Sequence, residues 1–127
     1  MGIDDLTDLI AGGQQELRRG TVVLACLLLL RQPGYGYALL DRLRELGLAV
    51  EANTLYPLLR RLESQGVLES EWNTEESRPR RFYRTSSAGD RLASELLADW
   101  RRLDASIRHL ATADTHDTPD TAQGDPS

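Results

Sequence analysis

The stretch Glu51–Thr85, E-A-N-T-L-Y-P-L-L-R-R-L-E-S-Q-G-V-L-E-S-E-W-N-T-E-E-S-R-P-R-R-F-Y-R-T, decides the fold. Leu55, Leu58, Leu59 and Leu62 recur at i, i+3, i+4, i+7, the spacing of one buried helical stripe. At about 100° per residue the opposite face carries Asn53, Tyr56, Pro57, Arg60, Arg61 and Ser64. Asn53 or Thr54 is the expected N-cap, which puts Pro57 at the fourth or third helical position. Gly66 is the expected stop. Leu68, Ser70 and Trp72 then alternate with Glu69 and Glu71, the period of a strand. Asn73–Pro79 reads as a turn, and Arg80-Arg81-Phe82-Tyr83-Arg84-Thr85 as the return strand.

The polar face of this helix differs from an ordinary solvated one. It holds two adjacent arginines, an amide and a phenol, donors that suit phosphates and the base edges of a major groove. Arg78, Arg80, Arg81 and Arg84 bunch on the hairpin, where arginine reaches phosphate or a minor groove. The competing reading is a solvated helix face, with Glu75 and Glu76 pairing the hairpin arginines. Tyr56 has two readings as well, a phosphate contact or an edge of the core. Trp72 reads as packing.

Working outward, Tyr35–Leu46 reads as a helix burying Leu39, Leu40, Leu43 and Leu46, closed by Gly47. Gln32-Pro33-Gly34 is the turn before it. Gln14–Arg31 reads as another helix, with Gly20 a weak point. Ahead of it Ile3, Leu6, Leu9 and Ile10 form a short amphipathic start that Gly12-Gly13 interrupts. Two helices joined by a short turn, the second offered to a groove, followed by a hairpin, make a winged helix-turn-helix.

Ser87–Leu110 reads as the last helix, with Ser87 and Asp90 resembling a capping box. Leu96, Trp100, Leu103, Ile107 and Leu110 run at steps of 4, 3, 4, 3, an a/d seam. The seam packs on its own domain or on a second copy, and the charged opposite face favours the second copy. Trp100 is core by default, with an aromatic ligand wall as the rival. From Ala111 the chain has no large apolar residue and is expected to be disordered. The expected organisation is an acidic segment at 1–12, a DNA-binding domain at 13–86, a dimerisation helix at 87–110 and an acidic tail at 111–127. The fold class is mainly α with a small β-hairpin wing.

The net charge of −5 argues against nucleic acid until its distribution is read. All 15 positive charges are arginine, and none lies in residues 1–12 or 111–127, which hold seven aspartates. Without those seven the remainder carries 15 positive against 13 negative charges, enough for a locally basic face. Cys26 is the only cysteine, so the chain has no internal disulfide and no cysteine-based metal site. A reducing cytoplasm fits. The apolar run Thr21–Leu30 is too short to span a bilayer, and its acidic lead and Arg31 do not suit an export signal. No HExxH, phosphate loop or nucleophile elbow is present, so an enzyme is not expected, nor a metal or cofactor.

These residues together resemble the PadR family of bacterial transcriptional regulators, in its short-chain branch. The motifs that carry the resemblance are Arg19-Gly20-Thr21, Gly34-Tyr35-Gly36-Tyr37-Ala38-Leu39 and Thr54-Leu55-Tyr56-Pro57-Leu58-Leu59-Arg60-Arg61-Leu62-Glu63. Gly66-Val67-Leu68-Glu69, Arg80-Arg81-Phe82-Tyr83-Arg84-Thr85 and Ser87-Ala88-Gly89 follow, so the match covers roughly residues 17–110. The resemblance implies a homodimeric repressor of double-stranded DNA, its last helix pairing the subunits. Tyr37 would touch phosphate, the Asn53–Arg61 face would meet the groove, and Arg80 and Arg81 would belong to the wing. Some members sense planar aromatic compounds, which implies an effector site near Trp100, with Leu96, Leu97 and Asp99 around it. The chain departs from the family pattern at Asn53, where small residues are common, and in its acidic tail. The alternative function is a winged-helix protein-interaction module without DNA binding.

Overall fold

The computed structural model describes residues 2–75 and 77–115. The chain divides into two compact units, one ending at Ala93 and the other beginning at Ser94. Four helices, α1 (Ile3–Leu29), α2 (Gly36–Glu45), α3 (Ala52–Ser64) and α4 (Ser87–Thr115), are joined by three strands. The strands are β1 (Gly34–Tyr35), β2 (Leu68–Asn73) and β3 (Arg80–Thr85). They form one antiparallel sheet in the order β1-β3-β2. The first unit is a mainly helical winged helix, as expected. Within the described residues, the second is the part of α4 beyond Ala93.

The core of the first unit is aliphatic. Leu27, Leu43, Leu55, Leu59 and Leu68 are fully buried, joined by Cys26, Leu62 and Tyr83. The stripe read from α3 is in place, except that Leu58 is only half-buried. Both α2 and α3 end in the same way. Gly66 has φ +82°, its N–H reaches Glu63 O at 2.9 Å, and Val67 N–H reaches Leu62 O at 3.1 Å. Gly47 has φ +79°, with the equivalent bonds to Arg44 O and, from Leu48, to Leu43 O. This is the left-handed glycine cap that satisfies the last carbonyls of a helix.

Several boundaries differ from the sequence reading. Gly12-Gly13 does not interrupt anything, and α1 runs through both. Ending and renucleating a helix fixes several dihedrals without a bond to offset them, which costs more than the roughly 1 kcal/mol per glycine of carrying on. Helix α3 begins at Ala52, capped by the extended backbone of Glu51, so neither Asn53 nor Thr54 is the cap. Thr54 N–H and Leu55 N–H both bond Glu51 O at 2.9 Å. Pro57 is thus the sixth helical residue, and the bond it forfeits is the one to the exposed Asn53, whose carbonyl water can reach. Tyr35 belongs to β1, paired with Phe82, so α2 starts at Gly36.

The cap of α4 is Ser86, one residue before the expected Ser87. Ser86 Oγ accepts from Gly89 N–H at 3.0 Å and donates to Gly66 O at 2.6 Å. Ser86 is buried and Ser87 exposed, because Ser86 also joins the turn after α3 through its N–H to Val67 O at 3.1 Å. The helix passes the expected end at Leu110 and continues to Thr115; of the expected disordered tail, residues 116–127 lie outside the described residues.

Candidate nucleic-acid interface

The outward face of α3 is set by its buried stripe. With Leu55, Leu59 and Leu62 inward, Asn53, Pro57 and Arg60 stand exposed on the far side. Tyr56 lies on one flank, half-buried, its ring against Gly36 so closely that a Cβ there would collide with it. Arg60 leans to the same flank, lining a groove with Glu63, Ser64, Trp72, Arg81 and Tyr83. Arg61 and Thr54 do not share that groove. They line a second one on the opposite flank, with Arg18, Arg19, Val22 and Val23 of α1. Adjacent helical residues point about 100° apart, so a pair such as Arg60-Arg61 straddles a helix rather than doubling one edge.

The wing is fastened to α2 and α3 by aromatic and ionic contacts. Tyr35 stacks on Tyr37 with centroids 5.6 Å apart and meets Phe82 edge-on at 5.1 Å. The Asn73 amide donates to the Tyr35 hydroxyl. The Arg80 guanidinium lies 4.8 Å from the centre of the exposed Tyr37 ring. Tyr37, Tyr56, Arg78, Arg80 and Arg81 thereby line one groove between the start of α2, α3 and the hairpin. Seven of the ten residues read from sequence as DNA contacts, Asn53, Thr54, Pro57, Arg60, Arg61, Arg78 and Tyr37, are exposed, and three, Tyr56, Arg80 and Arg81, are half-buried.

The hairpin arginines divide by strand alternation. Arg81 turns toward α3: its Nε donates to Ser70 Oγ at 3.0 Å, its Nη2 lies 3.5 Å from Glu63 Oε2, and its guanidinium covers Trp72 at 5.1 Å. Arg84 turns to the outer face and meets Glu69 at 2.9 Å and Glu71 at 3.1 Å. Among the described residues, the acids that hold these two arginines are Glu69 and Glu71, on the partner strand β2, and Glu63, which faces the hairpin from α3. Trp72 is 57% exposed, so its packing is the cover given by Arg81 rather than burial. Burial pushes the Tyr83 phenol up from its ordinary value, with Arg81 opposing.

In the second unit, Trp100, Leu103, Ile107 and Leu110 are 46–64% exposed on α4, while Leu96 and Leu97 are half-buried. Asp99 is paired with Arg102, and Asp104 accepts from Arg108 at 2.8 Å. The sequence reading missed both pairs, although i, i+3 and i, i+4 spacing announces them.

A helix-turn-helix with a hairpin wing is the frame of many regulators, and the comparisons narrow it. Residues 23–95 match the transcriptional regulator PadR-like family. A transcriptional regulator of Mycobacterium tuberculosis is 37% identical over 82 residues, 65% of this chain and 74% of that protein. The crystal structure of a PadR family transcriptional regulator from Eggerthella lenta is 48% identical, with a TM-score of 0.79, over 84% of this chain and 96% of that one. Bacillus subtilis PadR, solved in complex with operator DNA, shares the fold at a TM-score of 0.55 and 22% identity, over 59% of this chain and 45% of that chain. The chain belongs to the PadR-like family of transcriptional regulators. Among the described residues, no helix is long and apolar enough to cross a membrane.

Proposed function

We propose that this regulator is a cytoplasmic repressor that binds an inverted-repeat operator in double-stranded DNA as a homodimer. Residues 13–86 are the DNA-binding domain. Helix α3 enters the major groove with Asn53, Thr54, Pro57 and Arg60 toward base edges, and Tyr37, Tyr56, Arg61, Arg78, Arg80 and Arg81 hold phosphates on either side. The observation that carries this reading is the stack of Arg80 on Tyr37, 4.8 Å to the ring centre, which puts a wing cation and an α2 phenol on one edge beside α3. A phosphate strand running along that edge meets both.

The subunits pair through residues 87–110, along the seam Leu96, Trp100, Leu103, Ile107 and Leu110. Its support is the exposure of four large apolar residues on one helix, which water disfavours unless another surface covers them. Two-fold symmetry then sets the half-sites about one helical turn of DNA, or a multiple, apart. Release by a planar aromatic effector between Trp100 and its symmetry mate, edged by Leu96, Leu97 and Asp99, completes the proposal.

The test is binding to duplexes selected from a random pool, measured against salt. Affinity should fall steeply between about 50 and 200 mM, and Arg80→Ala should lower the log–log slope by about 0.9 without changing the selected sequence. Salt-insensitive binding, or no enrichment of any duplex, would refute the reading.

A further inference from the structure

The flank of α3 away from the wing carries a second cationic edge, and its source is α1. A groove of about 700 Å³ is lined there by Arg18 and Arg19 of α1, Thr54 and Arg61 of α3, and Glu51 between the helices, with Val22, Val23, Val50 and Leu58 as its floor. The three arginines are all exposed. Glu16 holds Arg19 at 3.3 Å, an exposed i, i+3 pair that a stronger anion displaces at little cost. Three guanidinium groups against one lining carboxylate is a concentration of positive charge in a chain whose net charge is −5.

We infer that Arg18 and Arg19 are DNA contacts, clamping the phosphate strand on the side of the major groove opposite the wing. A major groove is about 12 Å wide and walled by two backbones, so a helix seated in it has phosphates on both flanks. The wing edge supplies Arg80 and Arg81 to one wall. Arg61 turns to the other wall, where α1 adds two more arginines and Thr54 adds a hydroxyl donor. The guanidinium fork fits phosphate oxygens in pairs, and each arginine contact displaces about one counterion. The clamp fixes α3 against rolling in the groove, which is a function of the α1 face separate from its packing through Val22, Leu24, Cys26 and Leu27.

This inference rests on the DNA-binding reading, and its test separates the two. The wild-type chain, Arg18→Gln/Arg19→Gln, Arg18→Lys/Arg19→Lys and Arg80→Ala are compared on one selected duplex by salt titration and phosphate-ethylation interference. Wild type should show two patches of sensitive phosphates on facing walls of the groove. The glutamine pair should lose the distal-patch phosphates that Arg61 does not hold and lower the salt slope by about 2. Arg80→Ala should lose phosphates of the proximal patch only, and the lysine pair should keep most of the distal one. A distal patch and slope unchanged in the glutamine pair would overturn the clamp while leaving the DNA reading intact. A glutamine pair that has lost its fold is recognised by circular dichroism, and the single variants Arg18→Gln and Arg19→Gln then decide: a weakened distal patch with a slope lower by about 0.9 in a folded single variant supports the contact, and a distal patch and slope unchanged in both overturn it. No binding by wild type would overturn both readings.

Discussion

Arg81 on the return strand of the wing lies 3.5 Å from Glu63 on α3, and Ser70 closes the arrangement. Ser70 Oγ donates to Glu63 Oε2 at 2.6 Å and accepts from Arg81 Nε at 3.0 Å. The three side chains belong to α3, β2 and β3, so they tie both strands of the hairpin to the helix beside it. Hydrogen bonds to charged groups contribute about 1.5–3 kcal/mol when shielded and less when water competes. Glu63→Gln should therefore destabilise the chain by about 1 kcal/mol in urea denaturation. The outer pair of Arg84 with Glu69 and Glu71 is more exposed, and Arg84→Ala should cost about 0.5 kcal/mol or less. The reverse order would mean that the wing is held by its outer face.

Two sets of glycines should respond in opposite directions. A Cβ on Gly89 would run into Val67 O and lie 2.8 Å from Thr85 Cγ2, because the start of α4 passes tightly over the turn after α3. The Val67 atoms are backbone and leave little room to adjust, so Gly89→Ala should cost about 3 kcal/mol. Gly12 and Gly13 have open space around them inside a continuous helix. Alanine at each should raise stability by about 0.5–1 kcal/mol and increase helical dichroism. A destabilised Gly12→Ala/Gly13→Ala protein would contradict the unbroken α1.

The contrast between these glycines shows what was legible in the sequence. Apolar periodicity placed α2, α3 and α4 to within a few residues, and glycine chemistry placed both helix stops. Gly12-Gly13 reads as a break only when the dipeptide is taken alone; the strong helix formers on each side carry α1 through it. Strand β1 was invisible because two residues carry no period; it exists through what Tyr35 gains from Phe82, Tyr37 and Asn73. The sequence names the arginines but not the side each one takes. Arg61 facing α1 followed from the helical angle, whereas Arg81 finding Glu63 depends on strand register, which the hairpin sequence left open.

Cys26 links stability to pH. It is fully buried, and desolvation raises its thiol from 9.0 to about 12. The raised value means that the folded state holds the proton more tightly than the unfolded one. Its contribution is complete below about pH 9 and is lost as pH rises toward 12. The full loss is on the order of 4 kcal/mol at 1.36 kcal/mol per pH unit. The chain has no lysine, and burial raises the Tyr83 phenol in the same sense. Denaturation midpoints should fall between pH 9 and 11, and Cys26→Ala should flatten that fall. Equal slopes in the two proteins would show that the thiol is not shielded.

The seam on α4 makes a prediction about assembly. Leu103 is 64% and Ile107 63% exposed in the single chain, so aspartate at both should leave the fold of residues up to Ala93 undisturbed. In a dimer the same charges would be buried without partners, at several kcal/mol. Leu103→Asp/Ile107→Asp should sediment as a monomer with an unchanged far-ultraviolet spectrum per residue. A double variant that remains dimeric would place the interface elsewhere.

The effector proposal turns on Trp100. It is 46% exposed on α4 with Leu96 and Leu97 half-buried nearby, and symmetry would set a second indole across the axis. A planar molecule between the two indoles gains stacking on both faces. It weakens repression only if it favours a subunit spacing that misfits the half-sites, and a preference of about 1.4 kcal/mol shifts the two states tenfold. Asp99 is already paired with Arg102 and Asp104 with Arg108, so charge selection should be weak and planarity should dominate. The measurement is quenching of indole fluorescence by neutral and cationic planar dyes, with Trp72→Phe in every protein because the exposed Trp72 reports as well. Quenching should saturate in the parent, and dye affinity measured by calorimetry should drop at least tenfold in Trp100→Ala. Equal calorimetric affinity after Trp100 is removed would rule the site out, and so would an unquenched parent.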